Sequence, residues 1–358
     1  MKILFVATVS RHILTFHTPY LKWFSEQGWE VHVAASGDLS IPYCHKMHII
    51  PIHRSPFELE NIKAYLQFKK IVRLEKYDII HGHTPLGGMF ARFAGRTSKA
   101  RVIYTSHGFH FYKGGPLKNW ILYYTIEKWL SRYTDDLITI NHEDFAMAKT
   151  HMKAKKLHYV PGVGVDCEKF SKSPNNRDDM REALGIPKDV VVILSIGELN
   201  INKNHQIVIK ALALLDKPIF YVICGQGNQE APLRALASSL GVGERLILSG
   251  YRTDIADFLH MSDIFIFPSK REGLPVSLME AMAAGLPCIV SNIRGNTDLI
   301  EHGKGGAVCE VDNALAYADA IEMVIGDKNN MGKYNQIVVK GFDISTVIEQ
   351  MKGIYNEE

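Results

Sequence analysis

Two glutamates with seven residues between them frame the stretch of this chain that is richest in chemical possibility. Glu272 and Glu280 lie in Pro268-Ser269-Lys270-Arg271-Glu272-Gly273-Leu274-Pro275-Val276-Ser277-Leu278-Met279-Glu280-Ala281-Met282-Ala283-Ala284-Gly285-Leu286-Pro287. The apolar run before it reads as a strand, and Gly273 permits a turn. Pro275, with its fixed φ and missing N–H, suits the first turn of a helix that Gly285-Leu286-Pro287 would close. Glu272 then sits in the loop and Glu280 on the second helical turn, so the two can address different parts of one elongated ligand. A carboxylate can accept two hydroxyl hydrogen bonds, as from a ribose diol. The amino end of the helix offers free N–H groups and positive dipole, which suits an anion such as a diphosphate. By themselves, two glutamates at this spacing would equally serve as a solvated or helix-capping pair. The strand, turn and Pro-started helix around them favour a ligand.

Positioning these groups requires a scaffold, and the rest of the chain supplies its pattern. Short apolar runs alternate with longer amphipathic stretches throughout the 358 residues, as in parallel strands joined by crossover helices. Strands are expected at 2–9, 30–35, 48–52, 78–81, 101–106, 136–140 and 157–160, then at 190–196, 219–224, 245–249, 264–267, 288–290 and 307–310. The polar stretch from Ser171 to Asp178 is the best linker between the two series. The expected fold class is therefore α/β, with two Rossmann-like doubly wound domains, 1–170 and 171–343, facing across a cleft, and a last helix from about 344 to 355.

Several function classes are disfavoured. Lys and Arg number 41 against 38 Asp and Glu, a net charge of +3, which argues against a nucleic-acid binder working through bulk charge. Five cysteines without metal-ligand spacing fit a reduced, cytoplasmic setting and read as small core residues. Neither domain opens with GxGxxG and no Walker A sequence occurs, which disfavours nicotinamide or flavin dehydrogenases and P-loop NTPases. The apolar opening Met1 to Val9 is too short for a signal peptide and reads as a strand. No apolar run approaches the roughly 18 residues of a membrane span.

The segment Glu-Gly-Leu-Pro-x-x-x-x-Glu-Ala-Met-Ala-Ala-Gly resembles the E-x7-E signature of the large retaining glycosyltransferase family of the GT-B fold, family 4 type. Many members of that family build bacterial capsular polysaccharide or exopolysaccharide. Tyr159-Val160-Pro161-Gly162-Val163-Gly164-Val165-Asp166 is similar to the family's segment closing the first domain. Tyr104-Thr105-Ser106-His107-Gly108-Phe109-His110 is similar to a stretch of its capsule and exopolysaccharide members.

The resemblance implies that Glu280 binds the nucleotide ribose and that Glu272 lies beside the donor sugar. It implies that the backbone of Gly273, Leu274 and Val276 supports the diphosphate and sugar hydroxyls; Pro275 has no N–H to give. The family's basic pair on the first loop of the second domain is represented by Lys203 alone, because Glu198 stands where an arginine is expected. Such a carboxylate must turn away, pair with a cation such as Arg271 or Arg252, or contact a sugar hydroxyl. His107 matches a histidine near the donor sugar, and His83 and His17 are acceptor-side candidates. Gly225, and Tyr251 with Arg252, lie in loops that flank the nucleobase in relatives. A structural role remains open for each histidine, as does an ordinary turn for each glycine.

Read together, these features imply a retaining transferase moving a sugar from a nucleotide sugar, UDP-linked by expectation, to a lipid-linked saccharide, with neither cofactor nor metal. A GT-B sugar-nucleotide 2-epimerase and a non-catalytic nucleotide-sugar-binding subunit are the alternatives. The last helix is expected to return to the first domain, as in relatives. Lys63, Lys69, Lys70, Arg73 and Lys76 form a basic stripe on an expected helix that also carries Ile62, Tyr65, Leu66, Phe68 and Val72. It is either a solvated face over a packed core or a peripheral contact with anionic membrane. The aromatic stretch Trp120 to Leu130 admits the same two readings.

Overall fold

The computed structural model describes residues 1–173 and 175–357; Pro174, inside the polar stretch expected to link the domains, lies outside them. The chain divides into two compact units. One comprises Met1–Gly162 together with the end of the chain from Ile348, and the other Val163–Val347. The division thus falls after Gly162, upstream of the 171–178 stretch.

The first unit is built on seven parallel strands: β1 (Lys2–Val9), β2 (Glu30–Ser36), β3 (Lys46–Ile49), β4 (Ile79–His83), β5 (Arg101–Ser106), β6 (Asp136–Thr139) and β7 (Lys156–Tyr159). Their order is β3-β2-β1-β4-β5-β6-β7. In β1 Ile3, Leu4, Phe5, Val6 and Ala7 are all buried, which explains an apolar run without alternation: helices cover both faces of a central parallel strand. The expected strand at 48–52 forms instead at Lys46–Ile49, where its backbone pairs with β2 from His32 to Ala35.

The second unit repeats the plan with β8 (Val191–Ile196), β9 (Ile219–Cys224), β10 (Leu246–Leu248), β11 (Ile264–Phe267), β12 (Cys288–Ser291) and β13 (Gly306–Cys309), in the order β10-β9-β8-β11-β12-β13. Both sheets reverse direction of winding once, between β1 and β4 and between β8 and β11. Ligands of open α/β sheets bind outside the carboxyl ends of the strands at such reversals.

The final helix, Ile344–Asn356, is held to the first unit near its end. The Tyr355 hydroxyl lies 2.7 Å from His81 Nδ1 on β4. Arg101, at the start of β5, donates from Nη2 to the Ile354 carbonyl (2.9 Å) and from Nη1 to that of Tyr355 (3.2 Å), taking up carbonyls that a helix end leaves without partners.

The basic helix runs over Glu60–Glu75. Lys76 lies just beyond it in left-handed conformation (φ +54°). Ala64, Phe68 and Val72 face the core, whereas Ile62 and Leu66 are 58% and 60% exposed, so these two are not part of the packed face. In the aromatic stretch Trp120, Tyr123 and Tyr124 pack partly against Phe109 and Phe111, while Ile121, and Leu117 just before the stretch, stand exposed. All five cysteines are free thiols; Cys224, Cys288 and Cys309 are buried, Cys44 and Cys167 half-buried. Among the described residues no helix is long and apolar enough to cross a membrane.

Candidate active site

In the second unit the motif residues surround the β8–β11 reversal. Glu272 follows β11 in a loop, and the helix Val276–Ala283 starts directly after Pro275, which occupies the N-cap with extended backbone and no side-chain cap. With no such cap, the first N–H groups of this helix point out of its end. Gly285, at φ +79°, ends the helix as expected. The turn is packed from behind: Arg294 Nε donates to the Glu272 carbonyl at 3.2 Å, and a Cβ on Gly295 would lie 2.2 Å from the Gly273 carbonyl oxygen.

The loop after β8 is tied to the same place. Lys270 N–H donates to the Asn202 carbonyl (2.8 Å), and Asn202 Nδ2 donates to that of Arg271 (3.0 Å). Lys203 Nζ donates to Glu272 Oε1 at 2.8 Å, both side chains being less than one-fifth exposed, and the same ammonium sits 4.5 Å from the centre of the Phe267 ring. Asn200 Oδ1 accepts from the Lys203 N–H (3.0 Å), which shapes the loop beneath the ammonium. In the sequence Lys203 and Glu272 stand as separate candidates; the structure joins them as an ion pair.

Glu280 is held differently. It is half-buried on its helix, and its carboxylate makes no side-chain hydrogen bond among the described residues. Burial raises its pKa, and Lys169 nearby lowers it less. A desolvated carboxylate without donors gains more from incoming hydroxyl groups than one already bonded or fully hydrated.

Glu198 is exposed and accepts a hydrogen bond from Asn200 Nδ2 at 2.9 Å. It pairs with neither cation considered from the sequence. Arg252 instead binds Asp254 (Nε to Oδ1, 2.8 Å) and lies 5.0 Å from the Phe258 ring centre. Gly225 packs against the loop after β8 so closely that a Cβ would lie 1.8 Å from the Gly197 carbonyl oxygen. Its N–H donates to the Gly250 carbonyl at 2.8 Å, next to the exposed Tyr251. The loops after β8, β9 and β10 therefore form one layer, with Leu274 buried and Gly273 and Val276 half-buried on the motif loop.

In the first unit the histidines gather at the other reversal. His83 ends β4, His107 follows β5, and His17 ends the helix Ser10–Phe16 that leaves β1. They are joined by His12, which the sequence reading did not single out; its only signal was a place in the first loop, five residues before His17. His83 Nδ1 lies 3.3 Å from His107 Nε2, and His17 Nε2 lies 3.3 Å from His12 Nε2. Burial lowers the pKa of His17, His83 and His107 well below the ordinary value and that of His12 to about 4, so the rings are neutral at pH 7. Thr84, the next residue after His83, is held at φ +62°, a strained conformation for a β-branched residue. The Thr8 N–H donates to its Oγ1 at 3.0 Å, stapling β1 to the end of β4. Beside Thr8, His12 and Thr84 opens a cavity of about 490 Å³ with apolar walls from Phe57, Met89, Leu122 and Ile126.

Comparison with known proteins agrees with this architecture. Residues 176–338 match the family described as glycosyl transferases group 1, and residues 2–141 match the glycosyl transferase 4-like family. The chain is 40% identical to EpsD of Bacillus subtilis (strain 168), over 99% of this chain and 96% of that protein. It is 31% identical to the UDP-Gal:alpha-D-GlcNAc-diphosphoundecaprenol alpha-1,3-galactosyltransferase of Escherichia coli, covering 83% of this chain and 80% of that one. Among solved structures, Anabaena HepE in complex with UDP superimposes with a TM-score of 0.83 at 18% identity, with 99% of each chain covered. A sheet pair wound in this order, an E-x7-E loop at the second reversal and relatives at these identities establish that the chain is a glycosyltransferase of the family 4 type, with the GT-B fold.

Proposed function

We propose that the protein is a retaining glycosyltransferase that moves a sugar from a UDP-sugar to a lipid-linked saccharide during assembly of a surface polysaccharide. The observation that carries this reading is the arrangement in the second unit: an uncapped helix start, a lysine beside it, and a half-buried carboxylate one turn further on with no donor of its own. These are the groups needed for a diphosphate and a ribose diol. Two relatives support the choice of donor and acceptor by name: HepE was solved with UDP, and the Escherichia coli enzyme transfers from UDP-Gal to a diphosphoundecaprenol-linked sugar.

In this reading Glu280 accepts from the ribose hydroxyls. The N–H groups of Gly273, Leu274 and Val276 meet the diphosphate and sugar oxygens, and Gly225, Tyr251 and Arg252 border the base. Lys203 leaves Glu272 for the departing diphosphate, which frees the Glu272 carboxylate to hold the donor sugar. The bond from the anomeric carbon to the phosphate oxygen breaks. The acceptor oxygen bonds to that carbon on the same face, and its proton passes to the leaving phosphate. Charge builds on the diphosphate as the bond opens, so Lys203 and the helix dipole act most strongly in the transition state. No metal is required for this step.

His107 serves the donor sugar, and His17 and His83 serve the acceptor. The apolar cavity beside them, the exposed Phe57 just before the basic helix, and the exposed Ile62 and Leu66 among its lysines support an acceptor delivered from an anionic membrane face. Purified protein incubated with a nucleotide-sugar panel and a polyprenyl-diphosphate-linked sugar, followed by mass spectrometry, tests the whole reading. Acceptor-dependent gain of one sugar with release of UDP supports it. Conversion of the UDP-sugar without acceptor would make the protein an epimerase, and tight UDP binding without turnover would make it a binding subunit.

A further inference from the structure

Three neighbouring strand ends of the first unit bring His12, His17, His83 and His107 into one cluster in which each ring offers a nitrogen within 4.8 Å of the other three. The ring centres are 3.7 to 6.1 Å apart. Among the described residues these rings hydrogen-bond only to one another. His17 and His83 are 3% and 1% exposed, and His17 Nδ1 and His83 Nε2 are enclosed with no hydrogen-bond partner among the described residues. An enclosed nitrogen without a partner forfeits the hydrogen bond it makes in water. Four imidazoles pressed together in this way are therefore poorly explained as packing alone.

We propose that these four histidines form a binding site for a divalent transition ion of the zinc type. Ligand nitrogens around a tetrahedral ion lie about 3.4 Å apart, given metal–nitrogen bonds of about 2.05 Å. The His12–His17 and His83–His107 pairs already stand at 3.3 Å. Gathering the two pairs around one centre requires the His17 and His83 rings, stacked with centroids 3.7 Å apart, to rotate away from each other. Four nitrogens and no carboxylate select zinc, cobalt, nickel or copper over magnesium and calcium, which take oxygen ligands. The strand ends that carry the histidines are fixed by the sheet, which limits the ordering cost of binding.

The cluster His32, His48 and Glu75 in the same unit lacks these properties. The His32 nitrogens already meet the Tyr77 hydroxyl (2.8 Å) and Glu30 (2.8 Å), and Glu75 is paired with Lys2 and Lys46. Where His107 serves the donor sugar, an ion bound at the four histidines takes it out of service and suppresses transfer. That consequence rests on the proposed function; metal binding itself does not, so the test reads binding directly.

Full-length protein without an affinity tag is titrated with Co²⁺ by calorimetry and visible absorption. The expected result is one Co²⁺ per chain, with the strong absorption of a tetrahedral nitrogen site, displaced by Zn²⁺. His12→Gln, at a half-buried position, weakens binding at least tenfold while the circular dichroism spectrum is retained; His107→Gln provides the second variant should that one misfold. His48→Gln leaves binding unchanged. Failure to saturate at one ion per chain, a weak octahedral spectrum, equal affinity in a folded His12→Gln or His107→Gln variant, or loss of binding in His48→Gln overturns the proposal.

Discussion

Exchanging Glu272 for Gln should tighten UDP binding, although a residue beside the donor would ordinarily weaken it when altered. The reason is the 2.8 Å pair between Lys203 and Glu272 in the unliganded protein. A diphosphate must take the ammonium from a carboxylate that already holds it. A hydrogen bond to a charged group is worth about 1.5–3 kcal/mol, and a neutral acceptor about half that. Glu272→Gln therefore releases roughly 1 kcal/mol of competition, about a fivefold gain in UDP affinity. Lys203→Ala removes the contact with diphosphate and leaves the Glu272 carboxylate facing it; roughly 1 kcal/mol of new repulsion offsets the roughly 1 kcal/mol of competition that disappears, for a loss of about 1.5–3 kcal/mol. Combining the two substitutions removes that repulsion as well and brings the loss back to about 0.5–2 kcal/mol. Uridine, which has no phosphate, should bind all three variants as it binds wild type. Calorimetry with UDP and uridine measures these differences, alongside thermal melts to confirm folding. If Glu272→Gln weakens UDP as Lys203→Ala does, or if uridine follows UDP, the pair is a structural strut and Lys203 does not hold the diphosphate. Turnover should show the opposite sign, with kcat of Glu272→Gln about tenfold to a thousandfold lower, because the proposed contact with the donor sugar would matter most in the transition state.

Glu280→Gln should weaken UDP and uridine alike, by about 1–3 kcal/mol, since both carry the ribose diol; undiminished uridine binding would remove the ribose assignment. Reversing Lys69, Lys70 and Arg73 to Glu should abolish sedimentation with anionic vesicles at physiological salt, each charge being worth about 1 kcal/mol at such a surface, and unchanged sedimentation rules out the contact. His205, buried with Nδ1 2.9 Å from the Tyr221 hydroxyl, has its pKa lowered to about 3 by burial, with Lys203 adding to the effect. Its folded pKa lies below the unfolded value near 6.5, so its contribution is complete above that value and shrinks by about 1.4 kcal/mol per pH unit as pH falls toward 3. In His205→Phe the drop in unfolding free energy between pH 7 and pH 5 should be smaller than in wild type by about 2 kcal/mol. An identical drop in both proteins would show that His205 takes up no proton on unfolding in that range.

Much of the architecture was legible in the chain because parallel strands buried on both faces leave uninterrupted apolar runs. Ile219–Cys224 and Ile264–Phe267 lie where those runs predict them. Local chemistry also marked the helix after Pro275 and its end at Gly285, since proline and glycine restrict or free the backbone without help from distant residues. Strand 48–52 was displaced because its position depends on pairing with β2, and an edge strand has little burial pattern to reveal it. The resemblance to a family pointed to Glu272, Lys203 and His107 one at a time. That Lys203 is neutralised by Glu272, that Glu280 lacks a donor, that Glu198 turns to Asn200, and that His12 completes a group of four imidazoles were decided by tertiary structure. Residues 203 and 272 lie on loops after β8 and β11, which are distant in sequence yet adjacent in the sheet. The same holds for the histidines after β1, β4 and β5. Residue type and spacing report what a side chain can do; which partner it meets depends on the order in which the strands pair, and that order is settled by long-range packing.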